Sequence, residues 1–235
     1  MLAGEALRLA NSALFSQRYE VTSVLHAISV LGLDRLKSVV LTVGLRHVIR
    51  TRSPALQRCW RHNLAAALVA EYAASACDLE PAAAYTAALM HGIGQFALAS
   101  CFSGDWDAVL REARERGQNR LLAIETHHLG IDHVEAAAWL IHYWELPHTF
   151  LDTSQCRHKR PVPIESADLR GLTEIACEMA DQLGFGISDV PHEWTPDALL
   201  SRLPEDAAQR LQPTAADLAE IIPFKINDFE MTLLR

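Results

Sequence analysis

Apolar residues in this chain recur at intervals of three and four, and no stretch alternates apolar with polar positions between hairpin turns. That spacing draws one hydrophobic stripe along a 3.6-residue helix and does not fit the two-residue period of a half-buried strand. Val21, Val24, Leu25, Ile28 and Leu31 form the first such stripe, and Gly32 stops it. Asp34 caps a second helix carrying Leu36, Val39, Val40 and Val43. Ser53-Pro54 separates this from a long helix over about 55–77, with Leu56, Trp60, Leu64, Leu68 and Tyr72 inward. The 35 alanines concentrate in runs such as AAALVAEYAASA (65–76) and PAAAYTAALM (81–90), and alanine is the strongest helix former.

The remaining punctuation divides the rest of the chain into further helices. Pro81 opens one that runs to about Ser100, and Asp105 caps another ending at Gly117. A helix ends at Gly130, and Asp132 with Glu135 reads as a capping box for the next, reaching Trp144. Pro147 opens another, and 164–184 is a long amphipathic segment. Thr195-Pro196, Pro204 and Thr214 with Asp217 start shorter ones. The expectation is an all-α, multi-helix bundle in which Cys59, Trp60, Trp139 and Trp144 are core residues. Residues 186–235 hold five of the ten prolines and read as an extension.

Composition narrows the function classes. Half of the 235 residues are hydrophobic, enough for a sizeable core. The apolar runs are interrupted well short of the roughly 18 residues that a membrane span needs, and no secretion signal opens the chain. Five cysteines without a CxxC pair suit reduced thiols in a cytoplasm. The net charge of −8 argues against general nucleic-acid binding. Yet the stretch Arg35–Ala70 carries Arg46, Arg50, Arg52, Arg58 and Arg61 and no carboxylate. It reads either as a solvated face paired with the acidic remainder or as a docking patch for a phosphate-bearing ligand or acidic partner.

Eleven histidines are the chemistry-bearing candidates. His62 and His91 sit inside helical runs, His133 in the cap sequence GIDHVEAA, and His158 in SQCRHKR. Asp181 lies in the apolar stretch IACEMADQLG, where a carboxylate must be exposed or partnered. A lone helical histidine is more often a packed side chain than a ligand. No HxxxH or HExxH pair is present to hold a metal from one helix.

Five segments in order resemble the HDOD family, the HD-related output domain of bacterial signalling proteins. They are residues 7–45, with Asn11-Ser12, Thr22-Ser23, Ala27 and Leu31-Gly32; Trp60 with His62; AALMHGIGQFAL (87–98); GIDHVEAAAWLIHYWELP (130–147); and IACEMADQLGFG (175–186). The resemblance implies an HD-like helical domain over residues 1–186, with 187–235 as a helical extension packed on it or trailing from it. The family usually begins with about two more helices. Their absence would expose apolar surface and makes a homodimer or an attached upstream domain the expected cover.

In the related HD phosphohydrolases a first His, an adjacent His-Asp pair and a distant Asp bind the metal. The matching positions are His62, His91 with Gly92, and Asp181. Gly92 supplies no ligand. Two imidazoles and one carboxylate could hold Zn²⁺ or Ni²⁺ weakly but suit Mg²⁺ or Mn²⁺ poorly. His62, His91 and Asp181 therefore read as a vestigial metal pocket or as a buried polar cluster fixing three helices, the second being preferred, with His133 and His158 as accessory candidates. No resident cofactor is expected beyond weak transition-metal binding. The function implied is a non-catalytic, cytoplasmic regulatory module of bacterial signal transduction that binds a signalling protein or a regulatory ligand. The competing reading is a metal-dependent phosphohydrolase acting on a nucleotide or cyclic dinucleotide.

Overall fold

Pro54, whose missing N–H is no loss in a first helical turn, opens the longest described helix, and Ser53 precedes it in extended conformation. The computed structural model describes Gly32 and residues 53–117, 120–155, 168–187 and 195–234. The two helices expected around 21–31 and 34–48 lie outside the described residues. Every regular element among the described residues is helical, as the periodicity predicts.

Numbered from Pro54, α1 is Pro54–Ala74, followed by a 3₁₀ turn at Ser75–Cys77. Next come α2 (Pro81–Met90), α3 (Ile93–Cys101), α4 (Ser103–Arg116), α5 (Leu121–Leu129) and α6 (His133–Tyr143). The chain continues with α7 (Thr149–Ser154), α8 (Leu169–Ala180), a π turn at Asp181–Phe185, α9 (Pro196–Leu200), α10 (Glu205–Arg210) and α11 (Ala215–Leu234).

α1 is the central post. Leu56, Cys59, Trp60, Leu64, Leu68, Val69 and the alanines between them are all buried, so the helix is apolar nearly all round and is enclosed by its neighbours. The small side chains at 65–67 and 70 let other helices approach closely. α2 and α8 pack on α1 and on each other, and α11 covers a further side of α1. α3 leans on α6, α4 on α5, and α7 fills the angle between α2, α6 and α8.

Capping explains where the helices start. Glu80 accepts from the backbone N–H groups of Ala82 and Ala83, and Asp168 accepts from Gly171. The predicted capping box forms: Asp132 accepts from Val134 and Glu135, and the Glu135 side chain reaches back to the Asp132 N–H. Thr214 and Asp217 bond reciprocally at the head of α11, and these bonds hold the Asp217 carboxyl below the usual aspartate range.

Three expectations change. Asp105 does not cap its helix: α4 starts at Ser103 with Phe102 at the N-cap, and Asp105 lies in the first turn. The single helix from Pro81 to about Ser100 is two, broken at His91-Gly92. Gly92 has left the helical region at φ −93°, ψ 16°, and α3 restarts on a new axis. Trp60 is buried, but Trp139 and Trp144 are 60% and 49% exposed, because α6 turns His133, Ala136, Ala137 and Ile141 inward instead. Trp139 stacks in parallel on Tyr143 one turn later, ring centroids 4.9 Å apart.

Among the described residues after 187, several pack into the body of the fold. Leu199, Leu203, Leu218, Ile222, Ile226 and Phe229 belong to the same buried cluster as Leu64 and Leu68 of α1. Among the described residues no helix is long and apolar enough to cross a membrane.

Candidate functional site

The site gathers where α1, the end of α2 and the end of α8 meet. His62, in the middle of α1, is fully buried. Its Nδ1 lies 3.1 Å from the carbonyl oxygen of Phe185 and 3.1 Å from Oδ1 of Asp181, both in the π turn that ends α8. A carbonyl oxygen can only accept, so Nδ1 carries the proton and donates. The lone pair then sits on Nε2, which lies 3.4 Å from Sγ of Cys177 on α8.

His91 occupies the C-cap of α2 and is buried. Its Nδ1 donates to the carbonyl oxygen of Ala88 one turn earlier, which fixes the same tautomer and leaves its lone pair on Nε2. The His62 and His91 ring centroids are 5.3 Å apart and the planes tilted by 58°. One ligand atom each from His62, His91 and Cys177 lies within 4.8 Å of the others.

Of the three residues expected to form the pocket, His62 and His91 come together, and Asp181 joins through the outer nitrogen of His62. Cys177 takes the position facing the inner nitrogen. Sequence reasoning placed Cys177 on the apolar stripe of its helix and did not single it out. The available signal was its spacing, four residues before Asp181 and so on the same helical face.

Gly92 has a structural partner. A Cβ built on it would overlap the side-chain amide of Asn63, the residue after His62 on α1. Asn63 is buried, and its Oδ1 has no hydrogen-bond partner among the described residues. The space that the first carbon of an acid would need is thus filled from the opposing helix.

The remaining candidates are placed elsewhere. His133 opens α6 and is buried against the fully buried Glu125 of α5. Glu125 Oε2 accepts from the His133 backbone N–H at 2.9 Å and lies 2.6 Å from its Nδ1. This is a helix-to-helix clamp between α5 and α6. His158 lies outside the described residues, as do Arg46, Arg50 and Arg52. Of the basic stretch, Arg58 is half-buried, and Arg61 turns to α11, where its Nε lies 3.2 Å from Glu230 Oε1 while its guanidinium rests 5.5 Å over the Phe185 ring. Arg61 is therefore paired with α11 while remaining partly exposed.

The hydrolytic metal centre that the resemblance implies takes two carboxylates beside its two imidazoles. The residues present do not fit it. Gly92 has no side chain, Asn63 closes the space beside it, and Asp181 is engaged with the outer nitrogen of His62.

Solved structures share the fold. An HDOD domain protein of unknown function from Geobacter sulfurreducens matches 99% of this chain and 80% of its own, at 21% identity and a TM-score of 0.72. A candidate phosphohydrolase from Shewanella amazonensis SB2B matches 99% of this chain and 81% of its own, at 21% identity and a TM-score of 0.66. The MmoQ response regulator from Methylococcus capsulatus str. Bath matches 94% and 84%, at 24% identity and a TM-score of 0.55. An uncharacterised protein of Treponema pallidum (strain Nichols) is 23% identical over 219 residues, 92% of this chain; the chain spans about two fifths of that relative, 42% of its length. The family model for the HDOD domain matches residues 1–160, more than half of the sequence, and the chain belongs to the HDOD family.

Proposed function

We propose that this HDOD domain is a non-catalytic regulatory module of a signalling system, acting by binding a signalling protein or a regulatory ligand. The observation that carries the reading is the pairing of Gly92 with Asn63. A missing acid could leave a gap that water or a shifted side chain fills. Here the gap is closed by a buried amide, so restoring the acid also requires moving a residue of α1. Without that carboxylate a pair of imidazoles has little hold on Mg²⁺ or Mn²⁺, the hard ions that phosphoester hydrolysis commonly uses. Membership of a family related to signalling output domains, and a response regulator among proteins of the same fold, support the regulatory part.

The test is turnover by the purified chain on a cyclic dinucleotide and on bis(4-nitrophenyl) phosphate, each with Mg²⁺, Mn²⁺, Fe²⁺ and Zn²⁺. Enzymes exceed the uncatalysed reaction by about 10⁶-fold or more, so the distinction from metal-only background is large. The expected result is no turnover above that background. Hydrolysis that disappears in His91→Ala, with helix content by circular dichroism unchanged, would overturn the reading in favour of a metal-dependent phosphohydrolase.

A further inference from the structure

His62, His91 and Cys177 come from three different elements, α1, the end of α2 and α8, and are 0%, 5% and 1% exposed. Burying two imidazoles and a thiol together at a helix junction needs a reason beyond packing, since an apolar trio would fill the same volume with no polar atoms to satisfy. Their arrangement supplies one.

Both imidazoles are anchored through the same nitrogen. His62 Nδ1 donates to Phe185 O, with Asp181 Oδ1 3.1 Å away, and His91 Nδ1 donates to Ala88 O. This is the tautomer in which Nε2 bears the lone pair, and a carboxylate or carbonyl behind Nδ1 is the usual way of orienting a ligating histidine. The spacing agrees. Two atoms bound to one Zn²⁺ at about 2.0–2.1 Å for nitrogen and about 2.3 Å for sulfur lie roughly 3.5 Å apart in a tetrahedron. His62 Nε2 and Cys177 Sγ are separated by 3.4 Å.

Charge separates the ions. Two neutral imidazoles and a thiolate contribute one negative charge, and the Asp181 carboxylate behind His62 contributes a second. A divalent cation makes the buried ensemble neutral, whereas a monovalent one leaves it negative. A sulfur ligand in place of an oxygen shifts preference from Mg²⁺ and Mn²⁺ to Zn²⁺. The expectation of weak binding at most was built on His62, His91 and Asp181 alone; a thiolate ligand changes that.

We propose that His62, His91 and Cys177 bind one borderline-soft divalent cation, of which Zn²⁺ is the type, with Asp181 as the positioning residue behind His62. The ion joins α1, α2 and α8 at one point and takes no part in hydrolysis. This stands apart from the regulatory reading, because occupancy is read by spectroscopy and turnover by assay.

The experiment strips the full chain with a chelator and titrates it with Co²⁺, followed by displacement with Zn²⁺. The wild type is expected to develop a thiolate-to-cobalt charge-transfer band that Zn²⁺ abolishes. Cys177→Ser, folded by circular dichroism, is expected to lose the band and bind about 100-fold more weakly. Asp181→Asn is expected to keep the band with binding about 10-fold weaker, the range for loss of an orienting carboxylate. Absence of the band in the wild type overturns the proposal, as does a band that survives Cys177→Ser. Should Cys177→Ser fail to fold, His91→Gln replaces it: a fall in Co²⁺ affinity of about 100-fold supports the site, and unchanged affinity overturns it.

Discussion

At Gly94 the backbone of α3 passes so near the His133 carbonyl, at the head of α6, that no methyl group fits between them. The obstruction is backbone on both sides, so neither partner can rotate away. Gly94→Ala is expected to cost about 3 kcal/mol, at the upper end for overpacking, and to separate α3 from α6. Urea denaturation with an unchanged m-value checks it. Gly92→Ala meets a side chain and not backbone, so its cost is expected to be the smaller of the two. The sequence showed that Gly92 lacks a ligand but not what stands in its place, because Asn63 is 29 positions away and only the crossing of α1 with the α2–α3 junction brings them together. Cys177 was hidden for a related reason. A cysteine in an apolar stripe looks like any small core residue until the nitrogen opposite it is known.

Helices were the most legible level, since starts and stops are written locally. Asp132 with Glu135 and Thr214 with Asp217 each bond within one turn, so their chemistry needs no distant partner. The break at His91-Gly92 was missed because apolar residues continue on both sides of it and the reason for the turn lies in packing on α1. Trp139 and Trp144 were misplaced because size suggested burial, whereas alanines and Ile141 define the inward stripe of α6. The junction of α8 with α9 illustrates what one cation does between elements. Arg202, just past α9, donates to both oxygens of Glu178 and to Glu174. Burial pushes the Glu174 carboxyl above its usual range, against the lowering effect of Arg202. A carboxyl raised in the folded state favours folding below its unfolded value and loses that advantage as pH rises through the folded one. Removing Arg202 lifts Glu174 further. Arg202→Ala is therefore expected to lower the melting temperature more at pH 7 than near pH 4.5, and thermal scans at the two values decide it. An equal loss at both would mean that Arg202 acts through its stem alone.

For the molecule as a whole, composition and periodicity established an all-helical body, and five short segments pointed to its family. The relation of the last 49 residues to that body was not legible, because an amphipathic helix reveals that it has an apolar face and not which surface receives it. In the structure Leu218 and Ile222 of α11 are fully buried in the cluster that contains Leu64 and Leu68. Ile222→Ala is expected to cost about 2–5 kcal/mol, the range for emptying a sealed core position. Tryptophan fluorescence, reporting in part on Trp60 and Trp106, and helix content are expected to be lost in one coincident transition; two separate transitions would show that α11 opens independently of α1.

That shared core also sets an order in time. α1 and α11 are separated by about 140 residues of chain, which a ribosome needs roughly 7–30 s to add at ordinary elongation rates. Through that interval the side of α1 that α11 covers lacks that cover. Arg61 meets its partner Glu230 only once α11 has been made.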